Sequence, residues 1–356
     1  MIEFNEEDTI YKYKLVKRLG KGSFGEVWLA KDTTLDINIA LKILPSEFGT
    51  IAKQLEEAKN GKKVIHKNLL KIYYADIVRA PDGTFVTLIA QEYQKNGTVE
   101  TCLNAHNFLP LPKLIKILTD ILLGLEYLHN GCVIHNDIKP SNILLDEQGN
   151  GILADYGISS FSVDKSPVSP KNVYKVHGAP ETIGGAHQIS ILTDIYQLGC
   201  TAYRLANGIG AIKNDFLKDP ANFDIAKMTG KIPSKKYQPY VPKKLACVIN
   251  KAIEVDPDKR YAGAIEMKHA LEQLQFPGFW TTNPINTSEL IGYGKSYSYT
   301  YEIIPKAGKL FDVNTYQTST AGRRTRITVF CKKNLSLIEK DKLIKKYFEW
   351  VINNAK

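Results

Sequence analysis

Apolar and polar residues alternate along the first part of the chain with the two-residue period of β-strands. The segments YKLVKRLG, EVWLAKD and INIALKIL lie between residues 11 and 48, and a glycine-rich turn separates the first two. Two further segments, LLKIYYADIVRA and TFVTLIAQEY, are joined by Pro81-Asp82-Gly83, a sequence typical of turns. The pattern therefore predicts five strands, and residues 47–63 between them have helical character.

Beyond residue 97 the apolar residues recur at helical spacing. The segment LPKLIKILTDILLGLEYLHN carries Pro112 near its start and Gly131 just after its end, which are typical helix boundaries. Segments around 194–206, 242–254 and 262–274 show the same spacing. A small β-rich lobe followed by a larger helical lobe is therefore predicted.

The pattern changes once more after Pro277-Gly278. SYSYTYEIIP and FDVNTYQTSTAGRRTRITVFCKK favour strands, and LIEKDKLIKKYFEWVIN favours an amphipathic helix. We expect residues 277–356 to form a small α+β extension.

Composition indicates a globular protein, with 44% hydrophobic and 24% charged residues. The five cysteines are widely spaced without a CxxC pair, which favours a reducing compartment. The first ten residues lack the apolar region of a signal peptide. The most apolar stretch, Leu114–Leu128, carries three charged residues, so we expect a buried helix and no membrane span. These features predict a cytoplasmic protein, in its own cell or in a host cell.

The net charge of +10 is unevenly distributed. Residues 277–356 contain 13 Lys and Arg against 6 Asp and Glu, a net charge of +7. Such an excess of basic residues usually forms a solvated charged face. The alternative is a surface that binds an acidic partner.

A glycine-rich sequence, Gly20-Lys21-Gly22-Ser23-Phe24-Gly25, lies between the first two predicted strands. Glycines allow backbone N–H groups to approach phosphates closely. A plain hairpin turn or a dinucleotide-binding loop would also fit, but a strand follows here where a dinucleotide site has a helix. Lys42 then lies in an apolar strand, where an ammonium group needs an anionic partner such as phosphate or carboxylate.

This opening resembles that of the protein kinases, which combine a glycine-rich loop with Ala-x-Lys on the third strand. The other family elements follow in order over roughly Tyr11–Leu274. They are His135-Asn136-Asp137-Ile138-Lys139-Pro140-Ser141-Asn142, Asp155-Tyr156-Gly157, Ala179-Pro180-Glu181, Asp194-Ile-Tyr-Gln-Leu-Gly199 and Asp256-Pro257-Asp258-Lys259-Arg260. The resemblance implies an α+β bilobal kinase fold over residues 11–275, with an N-lobe at about 11–93 and a C-lobe at about 98–275.

The resemblance also implies chemical roles in phosphoryl transfer from ATP to a protein substrate. Asp137 would accept the proton of the substrate hydroxyl, and Lys139 would neutralise the transferring γ-phosphoryl group. Lys42 would hold the α- and β-phosphates. Its carboxylate partner is expected to be Glu57 or, as a near-equal rival, Glu56.

Asn142 and Asp155 offer hard oxygen ligands suited to Mg²⁺, with Mn²⁺ as the alternative ion. By resemblance, the phosphates would lie against Gly20, Gly22, Ser23 and Gly25. The adenine would lie between Val27 and Ala40 on one side and Leu144 on the other. Glu92 and Tyr93 would form the hinge, with Gln91 at the gatekeeper position.

Lys139-Pro140 resembles the serine/threonine kinases and differs from tyrosine kinases, although Tyr174 occupies a position where the former usually carry threonine. Kinases that are switched on by activation-loop phosphorylation usually carry arginine at the position of Asn136, because arginine pairs with the phosphate. Asparagine cannot form that ion pair. We therefore expect activity without a phosphate on the 158–178 loop.

Several residues are expected to have structural roles. By resemblance, Asp194 fixes the backbone of the catalytic loop, and Glu181 pairs with Arg260. His135 is expected to be packed in the interior and not to act as an acid or base.

Alternative functions remain open at this point. One is a pseudokinase, a nucleotide-binding scaffold without transfer, although Lys42, Asp137, Asn142 and Asp155 are all present. Another is a small-molecule kinase, which the Ala179-Pro180-Glu181 element disfavours. A third is a kinase that its basic extension directs to nucleic acid through Arg323-Arg324-Thr325-Arg326. For the extension we favour docking on the kinase domain or recruitment of a protein partner.

Overall fold

The computed structural model describes most of the chain. The described residues are 3–22, 25–45, 65–101, 103, 108–156, 160–161, 175–183, 188–208, 210–286 and 288–356. The predicted helical segment at 47–63 lies outside them.

The N-lobe is a six-stranded antiparallel sheet in the order β1-β2-β3-β4-β6-β5. Its strands are β1 Thr9–Ile10, β2 Tyr13–Gly22, β3 Gly25–Asp32, β4 Ile37–Pro45, β5 Ile72–Arg79 and β6 Phe85–Glu92. The five strands predicted from alternation are present. Strand β1 is not predicted from the sequence, because two residues are too few to show a period.

The register of this sheet gives its two faces different surroundings. Val27 pairs with Lys42 and Ala40 pairs with Gln91, so these side chains share one face. The opposite face buries a core that includes Trp28, Leu41 and Leu88, with Phe4 and Ile10 packed in the same cluster. The first face is therefore the one available to a ligand.

The C-lobe is built around a long buried helix, α1 Leu111–Asn130, as predicted. The other helices are α2 Ile191–Asn207, α3 Ala211–Lys218, α4 Phe223–Met228, α5 Lys243–Ala252 and α6 Ala264–Glu272. Helices α2, α5 and α6 match the predicted segments. Helices α3 and α4 are not predicted from the sequence, because eight and six residues contain too few turns to show a periodic pattern.

Four short strands of the C-lobe lie between α1 and α2 in the sequence. They are β7 Val133–Ile134, β8 Ile143–Leu145, β9 Gly151–Leu153 and β10 Ser160–Phe161, paired as β7 with β10 and β8 with β9. The main chain around Leu69 and Leu70 hydrogen-bonds to Leu153, which joins the N-lobe directly to β9.

The C-terminal extension is a second antiparallel sheet with a helix against it. Its elements are β11 Phe279–Thr282, β12 Leu290–Tyr293, β13 Tyr297–Lys306, β14 Leu310–Ser319, β15 Arg324–Arg326, β16 Lys332–Leu335 and α7 Leu337–Asn354. The strand order is β11-β12-β13-β14-β15, and β16 pairs with β14. The predicted hairpin and closing helix are confirmed, whereas β11 and β12 are not predicted from the sequence.

The extension packs on the C-lobe. Strand β11 lies against α1, and Trp280, Tyr299 and Tyr347 belong to the same continuous buried cluster as the C-lobe core. The α+β bilobal kinase fold with an α+β extension is thus confirmed. None of the described helices combines the length and the apolarity needed to cross a bilayer.

Candidate active site

The cleft between the lobes contains an ion pair between Lys42 and Asp155. Lys42 lies on β4 and points from the ligand-accessible face, and its Nζ donates to Asp155 Oδ1 just after β9. Burial of Asp155 favours the neutral acid, but the charge and the hydrogen bond of Lys42 outweigh burial and lower the pKa of that carboxyl. Asp155 is therefore an ionised acceptor at the centre of the cleft.

A different partner is predicted for Lys42 from the sequence. Glu57 and its rival Glu56 lie outside the described residues, so that expectation stays a prediction. The pairing with Asp155 was not anticipated, because Asp155 was considered only as a metal ligand.

Asp137 lies in the catalytic loop between β7 and β8 and has two polar neighbours. Lys139 Nζ donates to both carboxylate oxygens of Asp137, at 2.9 and 2.7 Å. Asn142 Nδ2 donates to the main-chain oxygen of Asp137 at 2.8 Å and to Oδ2 at 2.9 Å. The side chains of Asp137 and Lys139 remain 15% and 23% exposed, so a substrate group can reach them.

Asn142 and Asp155 are suited to hold a divalent cation. The amide nitrogen of Asn142 is engaged by Asp137, so its amide oxygen is the atom that remains for a cation. The main-chain N–H of Ala154 donates to the main-chain oxygen of Asn142 at 2.8 Å, which ties the segments that carry the two residues together. One amide oxygen and one carboxylate are hard donors that fit Mg²⁺.

The backbone of the catalytic loop is held from below by helix α2. Asp194 is fully buried in the first turn of α2, and its carboxylate accepts from the main-chain N–H groups of His135 at 2.9 Å and Asn136 at 2.7 Å. Gln197, one turn further along, accepts from Ile138 N–H at 2.9 Å and donates to Asn136 O at 3.0 Å. The expected structural role of Asp194 is confirmed, and Gln197 is an addition to it.

Two further structural expectations are confirmed. His135 is buried, with Nε2 donating to Ala154 O at 3.0 Å and Nδ1 accepting from Asp137 N–H at 3.2 Å. Arg260 donates to both carboxylate oxygens of Glu181 at 2.7 Å in the bidentate geometry that arginine favours. Both residues therefore act on the framework of the lobe.

The expected adenine-binding residues border the same cleft. Val27 and Ala40 share the sheet face of Lys42, while Leu144 on β8 pairs with Thr98 just after the hinge. Glu92 ends β6, and Tyr93 follows it in the hinge.

The glycine-rich turn joins β2 to β3, with Gly22 paired to Gly25 and Gly20 paired to Val27. Gly25 has a φ of +142°, and a Cβ there would lie 2.2 Å from Ile43 O, so only glycine fits. Ser23 lies outside the described residues.

Three buried polar residues near the catalytic loop were missed by the sequence analysis: His177, Arg204 and Lys227. Arg204 and Lys227 are cations within helical segments that also carry apolar residues, and this was the available signal. Their partners lie 27 to 104 residues away, so local sequence patterns do not indicate what they contact.

Comparisons with known proteins agree with this geometry. The profile of the family described as "Protein kinase domain" matches residues 13–274. Serine/threonine-protein kinase PrkC of Bacillus subtilis is 28% identical over 265 residues, which cover 72% of this chain and 39% of that protein. Serine/threonine protein kinase OSK3 of Oryza sativa is 26% identical over 312 residues, which cover 82% of this chain and 58% of that protein.

A probable serine/threonine-protein kinase of Clostridium perfringens is 28% identical over 270 residues, which cover 74% of this chain and 38% of that protein. The chain therefore spans between about two fifths and three fifths of the length of these relatives. The family match nevertheless covers most of the chain and includes both lobes of the cleft. The chain belongs to the protein kinase family.

Proposed function

We propose that this chain is a protein serine/threonine kinase that transfers the γ-phosphoryl group of Mg-ATP to a protein hydroxyl. The observation that carries the proposal is the position of Asp137, which contacts Lys139 and Asn142 within 3 Å at an accessible site. The names of the relatives support serine/threonine specificity, as does Lys139-Pro140.

The side chains of the catalytic loop suit an in-line transfer. Asp137 would accept a hydrogen bond from the substrate hydroxyl and take its proton as the oxygen bonds to the γ-phosphorus. The bond from the γ-phosphorus to the bridging oxygen breaks, and ADP leaves with that electron pair. Lys139 lies beside Asp137 and would stabilise charge on the transferring group.

Nucleotide binding would use the cleft face of the N-lobe. Lys42 would hold the α- and β-phosphates, Gly20 and Gly22 would let the loop backbone approach them, and Val27 would cover the adenine. Asn142 and Asp155 would hold Mg²⁺, or Mn²⁺ as the alternative, and the bound ion neutralises phosphate charge.

The test is to incubate the whole protein with Mg²⁺, γ-labelled ATP and dephosphorylated casein. Asp137→Ala should abolish transfer and leave binding of a fluorescent ATP analogue unchanged. Asp36→Asn is the matched control, because Asp36 is exposed and pairs only with Lys31 in the described residues. Mass spectrometry identifies the phosphorylated hydroxyls. Transfer that survives in Asp137→Ala, or product found only on tyrosine, contradicts the proposal.

For the extension we propose docking on the kinase domain or, as the alternative, recruitment of a protein partner. The shared core with the C-lobe supports docking. The boundaries 11–275 and 277–356 and the cytoplasmic location stay predictions.

Nucleic-acid binding is the competing role for the extension. If the extension does not bind nucleic acid, the whole protein should leave the electrophoretic mobility of labelled RNA or DNA unchanged, even at low salt. A shift lost in the variant with Arg323, Arg324 and Arg326 changed to Gln would establish nucleic-acid binding instead.

A further inference from the structure

Lys227 in helix α4 is a fully buried cation whose partners are main-chain carbonyls. Its side chain has 0% exposure, and Nζ donates to the oxygens of Lys175 at 3.3 Å and Val176 at 3.1 Å, and also to that of Gly178. All three carbonyls belong to the segment 175–178, which directly precedes the Ala179-Pro180-Glu181 element. A protonated lysine side chain has three N–H donors, and these match the three carbonyl acceptors in number.

The surroundings of Lys227 stabilise its charge only in part. In the described part of the chain no carboxylate forms an ion pair with Lys227, and the rings of Tyr196 and Phe223 lie 5.3 and 5.6 Å from Nζ. Burying an ammonium group without a counter-ion costs free energy. A side chain that only filled space would not need to carry this charge. A methionine would fill a similar volume without that cost.

Charged and titratable groups surround Lys227 on several elements. Cys200 on α2, Asp224 on α4 and Glu181 favour the ammonium form, but burial dominates and lowers the pKa of Lys227 to about 8. Asp224 also pairs with Lys175 at 3.5 Å, and Glu181 is occupied by Arg260, whose guanidinium lies 4.8 Å from the Tyr196 ring.

The segment that Lys227 holds also contacts the catalytic loop. His177 Nδ1 donates to the main-chain oxygen of Ile138 at 2.9 Å, and Ile138 directly follows Asp137. Its Nε2 accepts from Arg204 Nη1 at 2.8 Å, so both ring nitrogens are engaged. Segment 175–178 is therefore fixed between α4 on one side and the catalytic loop on the other.

We propose that Lys227 is a positioning residue that keeps segment 175–178 beside the catalytic loop, in a form that binds the protein substrate without a phosphate on the preceding loop. The proposal rests on the proposed kinase function. A phosphate organises a loop by attracting cations to it, whereas here the cation is supplied permanently from α4 and binds the main chain.

The experiment compares Lys227→Met, Lys227→Arg and the exposed control Lys231→Met in the whole protein. Lys227→Met should raise KM for dephosphorylated casein about 10-fold and leave the Kd of a fluorescent ATP analogue within about 2-fold. Lys227→Arg should keep the KM for casein close to the wild-type value, because arginine retains a charged donor. The proposal is overturned if Lys227→Met changes the casein KM and the Kd of the ATP analogue equally, or changes neither.

A pH series gives a second readout that a purely structural role would not move. In the wild type the casein KM should rise above about pH 8, as the ammonium group loses its proton. Lys227→Arg should lack that rise, because arginine stays protonated. The same rise in both proteins would contradict the role of Lys227.

Hydrogen exchange separates this proposal from the proposed function. The amides of Val176, His177 and Gly178 are buried, and they should exchange faster in Lys227→Met than in the wild type but at the wild-type rate in Lys231→Met. A wild type that is inactive on casein counts against the kinase function alone, and the exchange result then decides on Lys227. Unchanged protection in Lys227→Met overturns the positioning role.

Discussion

Lys42 on β4 and Asp155 after β9 are 113 residues apart in the sequence and form an ion pair in the cleft. The pair links the N-lobe sheet to the strand pair that supports the catalytic loop. The lysine that would bind phosphate and the carboxylate that would bind the cation are therefore already adjacent.

Replacing Lys42 should change both the rate of phosphate transfer and the pKa of Asp155. We expect Lys42→Met to lower the rate of phosphate transfer by at least about 100-fold, equivalent to about 2.7 kcal/mol. The reason is that the α- and β-phosphates lose the ammonium group that would hold them. The pKa of Asp155 should rise, because its main ionic partner is gone. Lys17→Met on the exposed side of β2 is the control, and equal transfer rates in the two variants would contradict this role.

The buried pair of Arg260 and Glu181 should contribute strongly to stability. Arg260 has 0% side-chain exposure, so Arg260→Ala leaves Glu181 without its bidentate partner. We expect the free energy of unfolding to fall by about 3 kcal/mol. The neighbouring Lys259→Ala breaks an exposed pair with Asp256 and should cost less than about 1 kcal/mol. Urea unfolding measures both, and a similar small loss in both variants would refute the difference.

His177 should make stability sensitive to acid. Burial, with the charges of Arg204 and Lys227 nearby, holds the pKa of His177 well below its ordinary value. Below about pH 6.5 the unfolded chain therefore binds a proton that the folded chain does not. The free energy of unfolding should fall by up to about 1.4 kcal/mol per pH unit from this residue.

His177→Asn removes this titration and keeps a donor toward Ile138. Urea unfolding at pH 7.5 and pH 5.5 should show a smaller difference for the variant than for the wild type. Equal differences for the two proteins would show that His177 does not titrate as expected.

Activity should persist without phosphate on the activation loop. Asn136 is buried, and its main chain is held by Asp194 and Gln197, so this position presents no cation to a phosphoserine. The variant carries alanine at Ser159, Ser160, Ser162, Ser166 and Ser169. We expect it to keep most of its activity on casein, and a loss above about 100-fold would reject the idea.

The sequence alone determined the lobes and the candidate catalytic residues. Strand and helix periods are local properties, so they were legible in β2 to β6, α1 and α7. The order of the kinase motifs identified Asp137, Lys139, Asn142 and Asp155. The eight- and six-residue helices α3 and α4 escaped detection, because packing and not local periodicity stabilises such short helices.

Only the tertiary structure decided which of these residues meet. Segment 175–178 lies 49 to 52 residues before Lys227, so the local pattern around FDIAKM does not indicate which acceptors its lysine contacts. The same applies to Lys42 and Asp155, which face each other because β4 and β9 border one cleft. Residue types and spacing fix what chemistry is available, but burial and long-range contact determine which charge each side chain finds as its partner.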